Sequence, residues 1–422
     1  MKIKIYKKNK FNKIYKKKNK NNIKSKNIIN QIKEIVKKKK YKKIFKLINK
    51  LDKINLKKKR FVINIKKLKI KFKTKKKIII GIKKIIYNII NFHLKQKKNI
   101  KYKTWKLKNK LFNIGQIAKP INNIAIYVPG GNKSYISSLI MNIIPAKIAG
   151  NRNIYVCTPS KGKNLIYLIY ISKILGVKKI FRIGGAQAIL TLTIGNKFVK
   201  NVDKIVGPGN IFVNKTKKYV YGKVGIESLA GPTELLIITN KNKNSKTITI
   251  DIFSQLEHDI NSKVFLISNK IKLLKNVKKH IKKIKIKNKI IKKSIKNLFI
   301  ILCKNIKECF KLSNKIAPEH LELICNKKYT KYIKNAGSVF VGKKSTEVFG
   351  DYAIGTNHVL PTNSNSRFSS PLGIYDFIKW INYIEIHKKG IKKISKYSCL
   401  MSKIERMFFH YKSSKKRDDI SR

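Results

Sequence analysis

Residues 178–189, KKIFRIGGAQAI, read as a short apolar strand, a double-glycine turn and the start of a helix. Aromatic and β-branched residues bounded by glycine mark a buried strand, and glycine is where such a chain turns sharply. The same pattern recurs on both sides. Upstream, IAIYVPGG (124–131) is a strand running into a Pro-Gly-Gly turn, SLIMNIIPAKIAG (138–150) a helix ended by Gly150, and NIYVCTP (153–159) the next strand. Downstream, VDKIVGPGN (202–210) is strand and glycine turn again, and GIESLAGPTELLIIT (225–239) closes the run. Strand and helix alternating over short loops predict a parallel α/β sheet, with glycine turns after the strands, where such sheets carry ligand sites.

A second α/β unit is expected over about residues 245–367. TITIDIFSQLEHDINS (247–262) reads as a helix, KVFLIS (263–268) and NLFIILC (297–303) as strands, and KYIKNAGSVFVG (331–342) as helix then strand. The tail from residue 371 reads as mostly helical. Residues 1–125 are of low complexity, and NIINFHLKQ (88–96) within them is an amphipathic helix with His93 as a surface or packing residue.

The 422 residues favour two or more domains, and an apolar fraction of 42% suffices for cores. The formal net charge of +84, from 102 basic and 18 acidic residues, taken alone points to nucleic acid. That alternative, a basic nucleic-acid-binding protein without catalysis, needs a local basic patch interleaved with aromatics. The lysines are instead spread along the chain beside an excess of Asn and Ile, so no specific nucleic-acid partner is expected. Five cysteines without a C-x-x-C spacing fit reduced thiols. Neither a secretory leader nor an 18-residue apolar run is present, so a cytoplasmic protein without a membrane partner is expected.

Against this background, eleven of the eighteen acids fall between Asp203 and Asp351. Four polar motifs stand out. In IAPEHLEL (316–323), Pro318 followed by Glu319 suits a first helical turn, while Glu319 and His320 also suit a general acid/base pair. In SQLEHD (254–259), Gln255 and His258 would share a helix face as a surface pair or as metal ligands. GDYAIGTNHVLPT (350–362) brings Asp351 and His358 to a polar loop. In KIERMFFH (403–410), Glu405 and His410 on one helix would point roughly 140° apart. The glycine turns allow backbone contact with phosphate, but ordinary tight turns are the favoured reading, and no G-x-G-x-x-G fingerprint is present.

Taken together and in order, IYVPGG, GGAQAI, VDKIVGPGN, AGPTE, SQLEHD, IAPEHLEL and GDYAIGTNHVLPT resemble the histidinol dehydrogenase family. The likeness runs from about residue 28 to 410 and is close over 124–362. It implies an α/β fold with two larger domains built on parallel-type sheets plus small helical N- and C-terminal parts. On that pattern residues 1–30 are a helical segment and residues 31–126 with 234–370 a domain carrying metal and catalytic residues. Residues 127–233 are the NAD side, and 371–422 a helical tail reaching the partner of a homodimer with shared active sites.

The resemblance implies a zinc- and NAD-dependent enzyme, with one Zn²⁺ per subunit, that oxidises L-histidinol to L-histidine through histidinaldehyde, the last step of histidine biosynthesis. Carried onto this sequence, Gln255, His258, Asp351 and His410 are metal ligands and Glu319 and His320 the catalytic pair. Thr233, His358 and Glu405 join His320 and the metal ligands in touching substrate, and Tyr127, Gln187 and Asn210 contact NAD. Zinc in the family mainly orients the substrate. Departures from the pattern are Thr233 for a usual Ser, Ile136 for Pro, Glu227 for Asp, and Lys40-Tyr41 for Gly-Asp.

Overall fold

The computed structural model describes residues 4–9, 11, 32–34, 41–52, 54, 61–68, 75–100, 104–130 and 135–420. Most of the expected 1–30 segment, Lys40, and residues 131–134 of the first glycine turn lie outside the described residues. The chain opens with β1 (Ile5–Lys7), α1 (Tyr41–Leu51), β2 (Val62–Asn64) and the long α2 (Lys76–Asn99). Strands β3 (Trp105–Lys108) and β4 (Phe112–Pro120) follow as a hairpin. Strand and helix then alternate: β5 (Asn123–Tyr127), α3 (Ile136–Ala149), β6 (Asn153–Cys157), α4 (Gly162–Ile174), β7 (Lys179–Phe181), α5 (Gly185–Ile194), β8 (Lys204–Val206), α6 (Ile211–Val220) and β9 (Gly225–Ile226). A second alternation comprises β10 (Glu234–Thr239), α7 (Ser245–Leu256), β11 (Lys263–Ser268), α8 (Ile271–Lys283), α9 (Lys289–Ser294), β12 (Leu298–Leu302), α10 (Ile306–Ile316), β13 (His320–Ile324), β14 (Ser338–Val341) and α11 (Glu347–Tyr352). The chain ends with β15 (Ile378–Ile386), α12 (Lys388–Ile404) and α13 (Phe408–Ile420).

Two six-stranded sheets result. One has the order β1-β12-β11-β10-β13-β14 and is parallel throughout. The other has the order β2-β7-β6-β5-β8-β9 and is parallel except for β2 against β7. This is the expected α/β class with parallel-type sheets. The central strands are apolar along their whole length, as strands covered by helices on both faces must be: every residue of Leu235–Ile238 and of Ile124–Ile126 is fully buried. Helix α3 is buried almost all round and stops at Gly150, whose φ of +92° gives the left-handed cap that glycine accepts without penalty.

Several local expectations change. Ile5–Lys7 is a strand, pairing with β12 at the sheet edge. Residues 62–64, which the resemblance groups with residues 234–370, pair with β7, and Ile48 of α1 packs in the core of that same sheet. The tail is mostly helical, as expected, through α12 and α13, but β15 precedes them and pairs antiparallel with β4 over nine residues. His93 is a packing residue, fully buried with Nδ1 3.0 Å from Gln96.

The turn after β8 is held by a buried ion pair. Lys217 Nζ reaches both Glu227 oxygens at 2.7 Å and the Gly207 carbonyl at 3.1 Å, and Gly207 N donates to Glu227 at 2.8 Å. The departure at Glu227 is thus accommodated with its carboxylate fully engaged. Lys217→Met leaves Glu227 buried and uncompensated, and should cost about 3–5 kcal/mol in denaturant unfolding. Pairing it with Glu227→Gln should recover part of that loss.

Candidate active site

The two sheets present opposite edges to one site. The glycine turns after β5, β7 and β8 lie at the carboxyl edge of their sheet, as expected. The acid–histidine pair lies at the amino edge of the other sheet. α10 stops at Ile316, Ala317 takes a left-handed φ of +51°, and His320 opens β13, so the helix-start reading of IAPEHLEL is overturned. The cause is pairing: β13 aligns with β10, Leu235 opposite His320, and Ser338 N takes up the Glu319 carbonyl.

That register sets the hydrogen bonds. Glu319 Oε2 accepts from the Thr233 hydroxyl at 2.6 Å and from Glu234 N at 2.9 Å. His320 Nδ1 lies 3.2 Å from the Glu234 carbonyl, which only accepts, so Nδ1 carries the proton. Its Nε2 is buried and makes no hydrogen bond among the described residues, with Asp351 Oδ1 3.4 Å away but poorly aligned. In its neutral form this histidine keeps its proton at Nδ1, and Nε2, beside Asp351, is the atom left to take one.

Carboxylates crowd around it. Glu319 and Glu347 lie 3.8 and 4.0 Å from His320 Nδ1, and Glu322, Glu234 and Glu347 are all buried. Burial pushes Glu319 up to about 7 against the pull of His320 and Thr233, and pushes Glu347 well above the carboxylate range. Burial, then the Asp251 charge, pushes Glu322 up to about 7. Burial works to lower His320, but Glu319 and Asp351 outweigh it and drive its pKa upward. Burial works to raise Asp351, but His320, His358 and His258 hold it below the usual range.

The other predicted residues gather unequally. The side-chain end of Gln255 is 2.8 Å from the Thr233 hydroxyl, with its amide 2.9 Å from Glu347. His258 lies past the end of α7, which stops at Leu256, so the two do not share a helix face. Asp351 sits in the short α11 rather than in a loop. His358 donates from Nδ1 to the Asp351 carbonyl at 2.8 Å, leaving Nε2 to accept from Ser138 Oγ at 3.3 Å. Ser138 belongs to α3, so this bond joins the two sheet units across the site.

Tyr127, Gln187 and Asn210 line the carboxyl-edge turns. The Tyr127 hydroxyl accepts from Gly185 N, and Asn210 caps α6 through Phe212 N and Val213 N. Glu405 and His410 are not on one helix: Arg406 at φ +56° breaks it, and α12 and α13 form a hairpin with both side chains exposed. His410 lines a cavity of about 710 Å³ with Ile386, Phe409 and Arg417, all outside the acid–histidine cluster. Among the described residues, no three His, Cys, Asp or Glu side chains converge to hold a metal ion.

Sequence reasoning missed Glu234, Glu347 and Ser138. Glu347, four residues before Asp351, was legible as a same-face partner on a helix. Glu234 works through its carbonyl and Ser138 through a contact distant in sequence, and neither leaves a sequence signal.

A sequence model of the histidinol dehydrogenase family matches residues 15–418. The chain is 40% identical over 311 residues to the histidinol dehydrogenase of Streptococcus mutans, covering 72% of this chain and 73% of the relative. It is 37% identical over 397 residues to that of Caldanaerobacter subterraneus, covering 92% and 91%. The crystal structure of histidinol dehydrogenase from Elizabethkingia anophelis superposes with a TM-score of 0.86 at 32% identity, covering 95% of this chain and 93% of that one. Fold and site thus define an α/β oxidoreductase. The chain belongs to the histidinol dehydrogenase family.

Thr233→Val keeps the shape but removes the hydroxyl that holds Glu319. A hydrogen bond to a charged group contributes about 1.5–3 kcal/mol, so kcat should fall roughly 10- to 100-fold with the fold intact. Thr233→Ser should stay near the parent in steady-state assays.

Proposed function

We propose that this chain oxidises L-histidinol to L-histidine in two successive two-electron steps through the aldehyde, using two NAD⁺, as a homodimer with shared sites. Family membership supports the histidine-biosynthetic step. The observation that carries the mechanism is His320, buried with Nδ1–H fixed on Glu234 and Nε2 unengaged beside Asp351.

Neutral His320 takes the hydroxyl proton at Nε2 as hydride leaves the carbon that bears the hydroxyl. At the aldehyde, Glu319 receives a proton from the attacking water, a role that fits a buried carboxylate whose pKa is raised to about 7. Once His320 has released its first proton to solvent, loss of a second hydride from the hydrate, with a proton again to His320, yields the carboxylate. Thr233 and Glu234 N hold Glu319 throughout, and the Asp351 carbonyl and Ser138 orient His358 towards substrate.

The donors fit zinc: a His258 imidazole, the Asp351 carboxylate and the Gln255 amide, with His258 close enough to depress the Asp351 carboxyl. When bound, NAD⁺ accepts hydride and zinc orients the substrate's imidazole and amine. One chain supplies an incomplete set, which supports a fourth ligand, His410, from a second copy, with Glu405 on substrate beside it. The apolar tail agrees: Ile404, Phe408 and Phe409 are 66%, 59% and 78% exposed, more than a lone surface hairpin needs. On this reading 127–233 is the NAD side and 234–370 carries the catalytic residues. No helix among the described residues is long and apolar enough to cross a membrane.

The test is NADH production from L-histidinol. Two NADH per histidine, lost on chelation and restored by zinc, support the reading, and His320→Ala should lower kcat by about 10²–10⁴-fold. A folded, zinc-supplied chain that makes no NADH would overturn it.

A further inference from the structure

One half-buried carboxylate has no part in this chemistry. Asp52, at the end of α1, reaches across to the double-glycine turn that opens α5. Its Oδ2 accepts from Gly184 N at 3.0 Å, and the Gln187 amide nitrogen lies 3.3 Å from both of its oxygens. Gly184 occupies the N-cap position of α5, and Asp52 takes up its backbone N–H from α1, as the carboxylate of a capping box does. The fit is close: a Cβ at Gly184 would come 2.9 Å from Asp52 Oδ1 and 2.5 Å from Pro159. The neighbouring N–H, of Gly185, is taken by the Tyr127 hydroxyl.

Two consequences follow from the polarity of these groups. A carboxylate flanked by two N–H donors is acceptor-only, so the Gln187 amide must turn its nitrogen inward and its carbonyl oxygen away. That oxygen makes no hydrogen bond among the described residues. The start of a helix is also the usual seat for an anion, and here the chain's own carboxylate occupies it.

We infer that Asp52 is a positioning residue: it fixes Gln187 as a hydrogen-bond acceptor, so the Gly184–Gln187 turn takes a donor group of the dinucleotide, a ribose hydroxyl or the carboxamide, and not its phosphates. The inference rests on the NAD-side reading given above. It makes recognition at this turn depend on a residue about 130 positions away in sequence, delivered by an N-terminal segment packed through Ile48 onto the core beneath α5.

The experiment is a double-mutant cycle on the full chain, read by NAD⁺ binding and by steady-state kinetics. D52N removes the charge and lets the Gln187 amide turn over. It should raise KM and Kd for NAD⁺ about tenfold, the value of one charge-assisted hydrogen bond, with kcat and KM for L-histidinol within twofold. In a Q187A background, D52N should add nothing further. Unchanged NAD⁺ affinity in D52N, or a D52N effect that persists in full without Gln187, overturns the inference. If D52N does not fold, Q187L tests the same bond from the other side: a tenfold rise in KM for NAD⁺ is expected, and no rise overturns it. Failure of the parent chain to bind NAD⁺ would instead remove the NAD-side reading, so the two failures are distinguishable.

Discussion

The parallel register of β13 on β10 is the constraint on which the site depends. With Leu235 opposite His320, the Glu234 carbonyl meets Nδ1 and the Glu234 amide meets Glu319. A slip of one residue would send Glu319 and His320 to opposite faces from those they now occupy. The apolar strands that bury Leu235–Ile238 and Leu321–Leu323 make that slip prohibitive. The geometry of the acid–histidine cluster is thus a by-product of core packing, set by main-chain pairing rather than by side chains that could relax.

The same arrangement explains how so basic a chain keeps an acidic interior. A net charge of +84 leaves the surface self-repelling. Some carboxylates make surface pairs, as Glu308 does with Lys8, but four gather inside. Glu234, Glu319, Glu322 and Glu347 are buried within one cluster, where Lys263 and His320 are the nearby cations. Burying carboxylates is costly, and burial raises the pKa of Glu319, Glu322 and Glu347, so protons as well as Lys263 and His320 offset the crowding.

The architecture also departs from the usual rule that an open parallel sheet binds ligands at its carboxyl edge. One sheet follows the rule through its glycine turns. The other offers its amino edge, where α7 ends and β10 and β13 begin. The Ser138–His358 bond spans the junction. Two units of similar construction meet head to tail, each contributing a different kind of group: backbone turns from one, ionisable side chains from the other.

The sequence by itself determined the alternation of strand and helix, the glycine turns, the cap at Gly150 and the residue types clustered between 203 and 351, because apolar runs and glycine act locally. It also pointed to Glu319, His320, Gln255, His258, Asp351 and His358, since acids and histidines stand out where lysine prevails. It could not tell a helix start from a strand start at Pro318, because proline and Glu suit both and only the pairing with β10 decides. It showed no break at Arg406, where a residue without glycine's freedom takes a left-handed φ within the tail hairpin. Nor could it place β15 on β4, Asp52 on Gly184, or the Glu234 carbonyl on His320. Those contacts join residues tens to hundreds of positions apart, and chain entropy leaves no local trace of them until the sheets have formed.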